Sequence, residues 1–440
     1  NLRTLAARVY ATANGMVKGP VHLNLPFRKP LEPASLDEVR ITPRTAPATR
    51  MARGRLLPED EQVATLRRLL EARPRGIIVC GPGCPDGDFP EAVAALARHI
   101  GYPIMADPLS GLRFGPQIDT ETVVTTYESL LHPTAPAWPG PDVVLRFGAV
   151  PTSKWLNEYL VRSVPAATIH VRASGIWADD SHRVTHFLQA DETATCRGLL
   201  DGLAGRPQSW RTDWARAEAA AHAEARRYFG EQAFDAAYVA AMLDEAPAGA
   251  NIFVGNSLPI RHVDQFGGQR AIPLRLFGNR GASGIDGTTS TALGIAAAEP
   301  TRPLIFLTGD VAFYHDMNGL LALGQQRLEN VTIVLLNNNG GGIFRRLPVA
   351  ALDPVFTEFF ITPHELDFGH AAALYGMTHR TVADLETFRL ALNGAIRQPS
   401  PALIEIQTDS QADLQHQREL VRRIGASLRE HSPSPCPDHA

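Results

Sequence analysis

The chain is poor in cysteine, in net charge and in long apolar runs, and each shortage removes a class of protein. Only Cys80, Cys84, Cys196 and Cys436 occur in 440 residues, too few and too scattered to staple a fold of this length. The spacing of Cys80-Gly-Pro-Gly-Cys84 is that of half a metal site, but no second Cys or His pair completes it. No apolar stretch approaches the ~20 residues that span a bilayer. The opening residues place Leu2, Leu5, Ala6, Val9 and Tyr10 at helical spacing, an amphipathic helix rather than a signal peptide; a cytoplasmic protein is expected. A formal net charge of −4 argues against nucleic acid or an anionic membrane surface as partner. Small anionic ligands would have to be met by individually placed Arg or Lys.

What is present is alternation. After the first helix, VHLNLP (21–26) reads as a strand and is followed by a proline-rich run from Phe27 to about Pro58, the end of one domain and a linker. From Glu59 onward, helical and apolar segments alternate: GIIVCG (76–81), a helix around Glu91 to His99, YPIMA, and DVVLRFG (142–148). A second break falls near Gly205 to Gln208, before an Ala-rich charged helix from Trp210 to Phe229. Beyond it NIFVGN, AIPLRLFGN, PLIFLTGD, VTIVLLNNN and PALIEIQ are five strand candidates. The expected fold class is α/β: two doubly wound parallel-sheet domains preceded by the remnant of a third, divided as 1–33, 34–207 and 208–440. Ligands belong at the carboxyl ends of such strands. After Asp409 one amphipathic helix is expected, then a disordered SPSPCPDHA tail.

Two strand ends carry the strongest chemistry. PLIFLTGD closes on Gly309-Asp310, and VTIVLLNNNGGGIF closes on three asparagines and the glycines Gly340 to Gly342. A carboxylate, an amide oxygen and a glycine-rich backbone offer oxygen ligands only. Mg2+ prefers that set, and usually completes its shell with phosphate and water, so the implied ligand is a diphosphate. Turn chemistry alone explains the same residues, because Asp, Asn and Gly favour strand ends. Two further strings, each directly after a candidate strand, favour the ligand: GNSLPIR (255–261) and NRGASGIDG (279–287). His315 and Asp316 adjoin the first of these ends, but a His at a helix start is more often structural. Gly81-Pro-Gly83 imitates a nucleotide loop without the full glycine pattern.

Gly309-Asp310 with Asn338 and Gly340 resembles the thiamine diphosphate (ThDP) signature of the decarboxylase and carboligase superfamily. Together with GPVHLNLPFRKPLEP, RFGAVPTSK, NRGASGIDGTTSTALG and FYHDMNGLLAL, it resembles one menaquinone-pathway family, the 2-succinyl-5-enolpyruvyl-6-hydroxy-3-cyclohexene-1-carboxylate synthases, from about Ala6 to Gln407. That resemblance implies a ThDP- and Mg2+-dependent transferase that decarboxylates 2-oxoglutarate and joins the remaining four carbons to isochorismate. It makes Asp310, Asn338 and the Gly340 carbonyl the Mg2+ ligands, with Gly309 beside them and Ile285 the wedge that keeps ThDP bent. It gives Arg261, Arg280 and Ser257 to substrate carboxylates, a task suited to the planar guanidinium fork. Lys154 would meet isochorismate, although Trp155 stands where some relatives carry a second basic residue. Phe344 and Leu347 would line the acceptor pocket; as bare sequence they fit a core equally well.

The resemblance further implies shared active sites, hence a homodimer or homotetramer, and a pyrimidine-binding domain whose glutamate activates ThDP. The chain starts at Asn1 without Met, so that glutamate is expected upstream and no catalytic residue is assigned here. A partner domain on another polypeptide, another ThDP-dependent decarboxylase, and a non-catalytic descendant are the competing readings. On the leading one, the 440 residues alone form no product, and measurable turnover by the purified chain would refute it.

Overall fold

The computed structural model describes residues 2–32, 49–116 and 118–431. Much of the expected linker, and the SPSPCPDHA tail with Cys436, lie outside them. Two six-stranded sheets, every pair of neighbours parallel, carry the fold. The first holds β1 (Gly76–Cys80), β2 (Ile104–Ala106), β3 (Val123–Val124), β4 (Val143–Phe147), β5 (Ala167–Val171) and β6 (His186–Leu188), in the order β3-β2-β1-β4-β5-β6. The second holds β7 (Asn251–Val254), β8 (Arg275–Phe277), β9 (Leu304–Gly309), β10 (Val331–Asn337), β11 (Thr378–Val382) and β12 (Ala402–Gln407), in the order β11-β12-β10-β9-β7-β8.

The strands most legible in sequence are the central ones. In β1, β4 and β10 every residue is buried, because helices cover both faces of a parallel sheet and polar alternation has no place. The edge strand β11, THRTV, mostly exposed, offers no such run and was not anticipated; nor were β3, β5 and β6. The expected strand VHLNLP is a correction. Residues 21–26 join no ladder among the described residues, and Leu23 and Leu25 are exposed. An extended segment becomes a strand only by hydrogen bonding to a neighbour.

In each sheet the chain winds first to one side and then to the other, leaving a crevice where the direction reverses. In the first sheet the reversal lies between β1 and β4, and backbone fills it. A Cβ at Gly81 would lie 1.8 Å from the Ala149 carbonyl oxygen, and one at Gly148 2.6 Å from the Gly81 oxygen. Gly81-Pro-Gly83 is therefore a packing turn. In the second sheet the reversal lies between β7 and β9, and there the crevice is open.

The helix Ser209–Glu231, expected to open the second unit, shares one apolar cluster with Ile77 and Val79 of β1 and with Leu420 and Ile424 of the last helix. Its buried Glu218 accepts from the backbone N–H groups of Thr125 at 2.8 Å and Thr126 at 3.0 Å, from both threonine hydroxyls, and contacts His222 at 3.0 Å. Arg113 joins the units at a second place. It is wholly buried and pairs with Asp264 at 2.9 Å, on the helix Leu258–Phe266.

Burial alone would push the Glu218 carboxyl up, but His222 and the two threonines hold it at about 2. A depressed folded pKa contributes stability above the unfolded value, and loses it as pH falls through the folded one. The contribution is on the order of 3 kcal/mol. Glu218→Gln should lower the denaturant-derived stability by about 2–4 kcal/mol at neutral pH, with the gap to wild type closing between pH 4 and pH 2.

Candidate active site

Three strand ends meet at the open crevice. β7 delivers Asn256 and Ser257, β9 delivers Gly309 and Asp310, and β10 delivers Asn338 and Gly340. With Arg261, Arg280, Ile285 and Phe344 they line one cavity of about 360 Å³. Of the residues that the resemblance assigns to cofactor or substrate, Lys154 and Leu347 lie outside that lining. Leu347 is 49% exposed, and Lys154 pairs with Glu158 at 3.7 Å on the surface. His315 and Asp316 are outside it as well; Asp316 accepts from the Ser290 N–H at 2.8 Å, a structural tie.

The three asparagines after β10 separate into different tasks, which their sequence could not show. Asn337 donates to Glu405 at 2.7 Å. Asn339, at φ 58°, accepts from the N–H groups of His364 and Glu365 at 3.0 Å each. Asn338 alone keeps a buried Oδ1 with no partner. An orphaned amide oxygen is expensive to bury, and in a cavity wall it is a ligand atom in waiting. Asp310, nearly inaccessible, accepts from the Val311 N–H at 2.7 Å and the Gly340 N–H at 2.9 Å, with His364 Nε2 at 3.3 Å. Burial pushes its carboxyl above the usual range despite those donors; a bound cation would reverse that. The Gly340 carbonyl accepts from the Gly342 N–H at 2.9 Å and retains a second lone pair. These oxygens fit a hard cation.

Gly340 sits at φ 137°, and a Cβ there would lie 2.1 Å from the Ile361 carbonyl oxygen. Only glycine combines that conformation with that approach. On the opposite wall, the Asn256 amide donates to the carbonyls of Asn279 and Gly284 at 3.1 and 3.2 Å and accepts from Arg280 at 3.0 Å. It thereby binds the NRGASG loop to β7, a role sequence reading missed although GNS marks the strand end. Arg261 donates to the Ser257 carbonyl at 2.7 Å; burial, then Arg280 beside it, lowers its pKa. Two guanidiniums on one wall make it attractive to anions. Glu128, also missed, accepts from the Ser153 hydroxyl and from the Trp155 N–H at 3.1 Å. It holds the start of the Lys154 helix while interacting electrostatically with Arg346 and Arg261.

Gly340→Ala should destabilise the protein by about 1–3 kcal/mol through strain at this φ and move the 357–361 segment away. A thermal melt with an unchanged midpoint would contradict the close packing.

The chain is similar to known proteins over nearly its whole length. The family model described as thiamine pyrophosphate enzyme, C-terminal TPP binding domain, matches residues 263–406, and that described as middle domain of thiamine pyrophosphate matches residues 54–254. A solved benzoylformate decarboxylase from Polynucleobacter necessarius shares the fold at a TM-score of 0.63 and 17% identity, over 92% of this chain and 73% of that one. A 2-succinyl-5-enolpyruvyl-6-hydroxy-3-cyclohexene-1-carboxylate synthase of Roseiflexus sp. (strain RS-1) is 48% identical over 97% of this chain and 74% of its own length. That of Haloarcula marismortui is 39% identical over the same shares. With two relatives so similar across nearly all of its length, the chain belongs to the 2-succinyl-5-enolpyruvyl-6-hydroxy-3-cyclohexene-1-carboxylate synthase family of thiamine pyrophosphate enzymes.

Proposed function

We propose that this chain carries the diphosphate and Mg2+ half of the synthase active site, together with the residues that hold the carboxylates of 2-oxoglutarate. The observation that carries the reading is the convergence of Asp310, the orphaned Asn338 Oδ1 and Gly340 on one cavity with Arg261 and Arg280. Asp310, Asn338 and the Gly340 carbonyl would hold Mg2+, with Gly309 next to them. When bound, ThDP supplies the nucleophilic carbon that attacks a 2-oxoacid and takes up the electron pair left by CO2. Ile285 would offer that cofactor an apolar contact. Arg261 and Arg280, with Ser257, orient the substrate carboxylates, and Phe344 keeps water from the reacting carbon. Lys154 and Leu347 are assigned to isochorismate, Lys154 because Glu128, which interacts with Arg261, holds the residues on either side of it, Ser153 and Trp155. Residues 1–33, 34–207 and 208–440 are read as the end of a pyrimidine-binding domain, a central domain and the diphosphate domain, in a protein of the cytoplasm. No helix among the described residues is long and apolar enough to cross a membrane.

Leu352, Val355 and Phe359, in the segment after Phe344, are 61%, 49% and 66% exposed. Three large apolar side chains exposed within eight residues support a second copy covering them, a homodimer or homotetramer. Sedimentation of the purified protein should show two or four copies; a monomer at micromolar concentration overturns this.

Calorimetric titration with ThDP and MgCl2 tests the site. Asp310→Asn should weaken Mg2+-dependent binding by about 100-fold or more, and equal affinity would refute the assignment. Arg261→Met should bind 2-oxoglutarate more weakly while the unliganded protein melts no lower than wild type. Its guanidinium is held in place against Arg280 and against burial, so removing it relieves repulsion in the empty site.

A further inference from the structure

At the edge of the cavity, where Asp235 forms part of its lining, three residues from three helices converge on one point. Asp235 begins the helix Asp235–Glu245, His262 lies within Leu258–Phe266, and Asp413 lies in the first turn of Ser410–His431. All three are at least 97% buried. His262 Nε2 is 4.0 Å from Asp235 Oδ2 and 3.8 Å from Asp413 Oδ2, and one ligand atom from each residue lies within 4.8 Å of the others. Both ring nitrogens of His262 have no hydrogen-bond partner, and the Asp235 oxygens and Oδ1 of Asp413 have no well-formed one, with the Thr408 hydroxyl near Asp235 and the Asp235 backbone N–H near Asp413.

This is a large unmet demand. A buried carboxylate or imidazole is tolerated when paired, hydrogen-bonded or bound to a metal. The nearest positive group, Arg346, reaches only one of the two carboxylates, Asp413 at 3.9 Å, and its own Nη2 is unpartnered. The separations are too long for hydrogen bonds between the His262 ring and either carboxylate. They are close to what a shared centre would impose: ligands about 2.1 Å from a metal, with angles of 110° to 120°, stand roughly 3.4–3.6 Å apart. A contraction of the two His262 separations by a few tenths of an ångström, with the two carboxylates drawn in from within 4.8 Å, would seat it. One imidazole and two carboxylates select Zn2+, Mn2+ or Co2+ over Mg2+, which favours oxygen and water.

We propose that Asp235, His262 and Asp413 form a second cation site, for a divalent transition-metal ion, that clips the last helix and the Asp235 helix to the helix bearing Arg261. It shares no residue with the set assigned to Mg2+. Its role is structural, and it holds whether or not the ThDP reading is correct.

The test uses the purified protein, stripped with chelator and free of ThDP, with Asp310→Asn introduced to remove the other cation site. Titration with CoCl2 should show one equivalent bound, with the visible absorption of a histidine-ligated ion, and ZnCl2 should raise the melting temperature. His262→Leu and Asp413→Asn in that background should each weaken Co2+ binding by about 100-fold or more. Should either variant fail to fold, anomalous diffraction from Co2+-soaked crystals of the unsubstituted protein decides, with a peak expected between the three side chains. Absence of stoichiometric Co2+, affinity unchanged by His262→Leu, or a peak elsewhere with only water among these residues would each overturn the proposal.

Discussion

The buried pair of Arg113 and Asp264 sets the relation between the two sheets, and the cavity wall inherits its position from that relation. All five guanidinium N–H groups are used. Nε reaches the Ala106 carbonyl at the end of β2. Nη1 reaches the carbonyls of Val263 and Asp264, and Nη2 reaches the Asp264 carboxylate and the Tyr127 hydroxyl, all between 2.7 and 3.1 Å. A charge taken out of water is tolerated only with such complete satisfaction. The partner shows the strain of the location, since burial pushes the Asp264 carboxyl up to about 7. Because Asp264 shares a nine-residue helix with Arg261 and His262, one contact between units fixes the angle at which a cavity residue is presented.

Across the cavity the geometry depends on a shorter link, the Gly340 N–H to Asp310 bond between the ends of β9 and β10. It requires the two backbones to approach closely, which is why no side chain fits at Gly340. The cavity that results is electrostatically divided. One wall presents oxygens that need a cation, the other two guanidiniums that need an anion. The ligand proposed here, a metal-bound diphosphate with a carboxylate-bearing substrate, would meet both needs at once.

The overall class of fold was legible in sequence because the central strands of parallel sheets are buried on both faces and read as unbroken apolar runs. Edge strand β11, polar and exposed, was illegible for the opposite reason, and VHLNLP misled because its alternation carries no information about whether a neighbour exists to pair with it. Most candidate site residues line one cavity, since strand ends and their glycines are local signals. Asn256, Glu128 and the triplet of Asp235, His262 and Asp413 escaped notice. Asp235 and Asp413 stand 178 residues apart, and spacing of that kind leaves no periodicity to detect.

By itself the sequence determined the two parallel sheets, the strand ends that carry Asp310 and Asn338, and the arginines available to meet carboxylates. These follow from local burial patterns and turn chemistry. Tertiary structure alone decided which of three adjacent asparagines keeps an unpaired oxygen, which crevice is open and which is filled by backbone, and that Lys154 stands outside the cavity. Each of those depends on what packs against a residue from a distant part of the chain, and a one-dimensional pattern does not contain that contact.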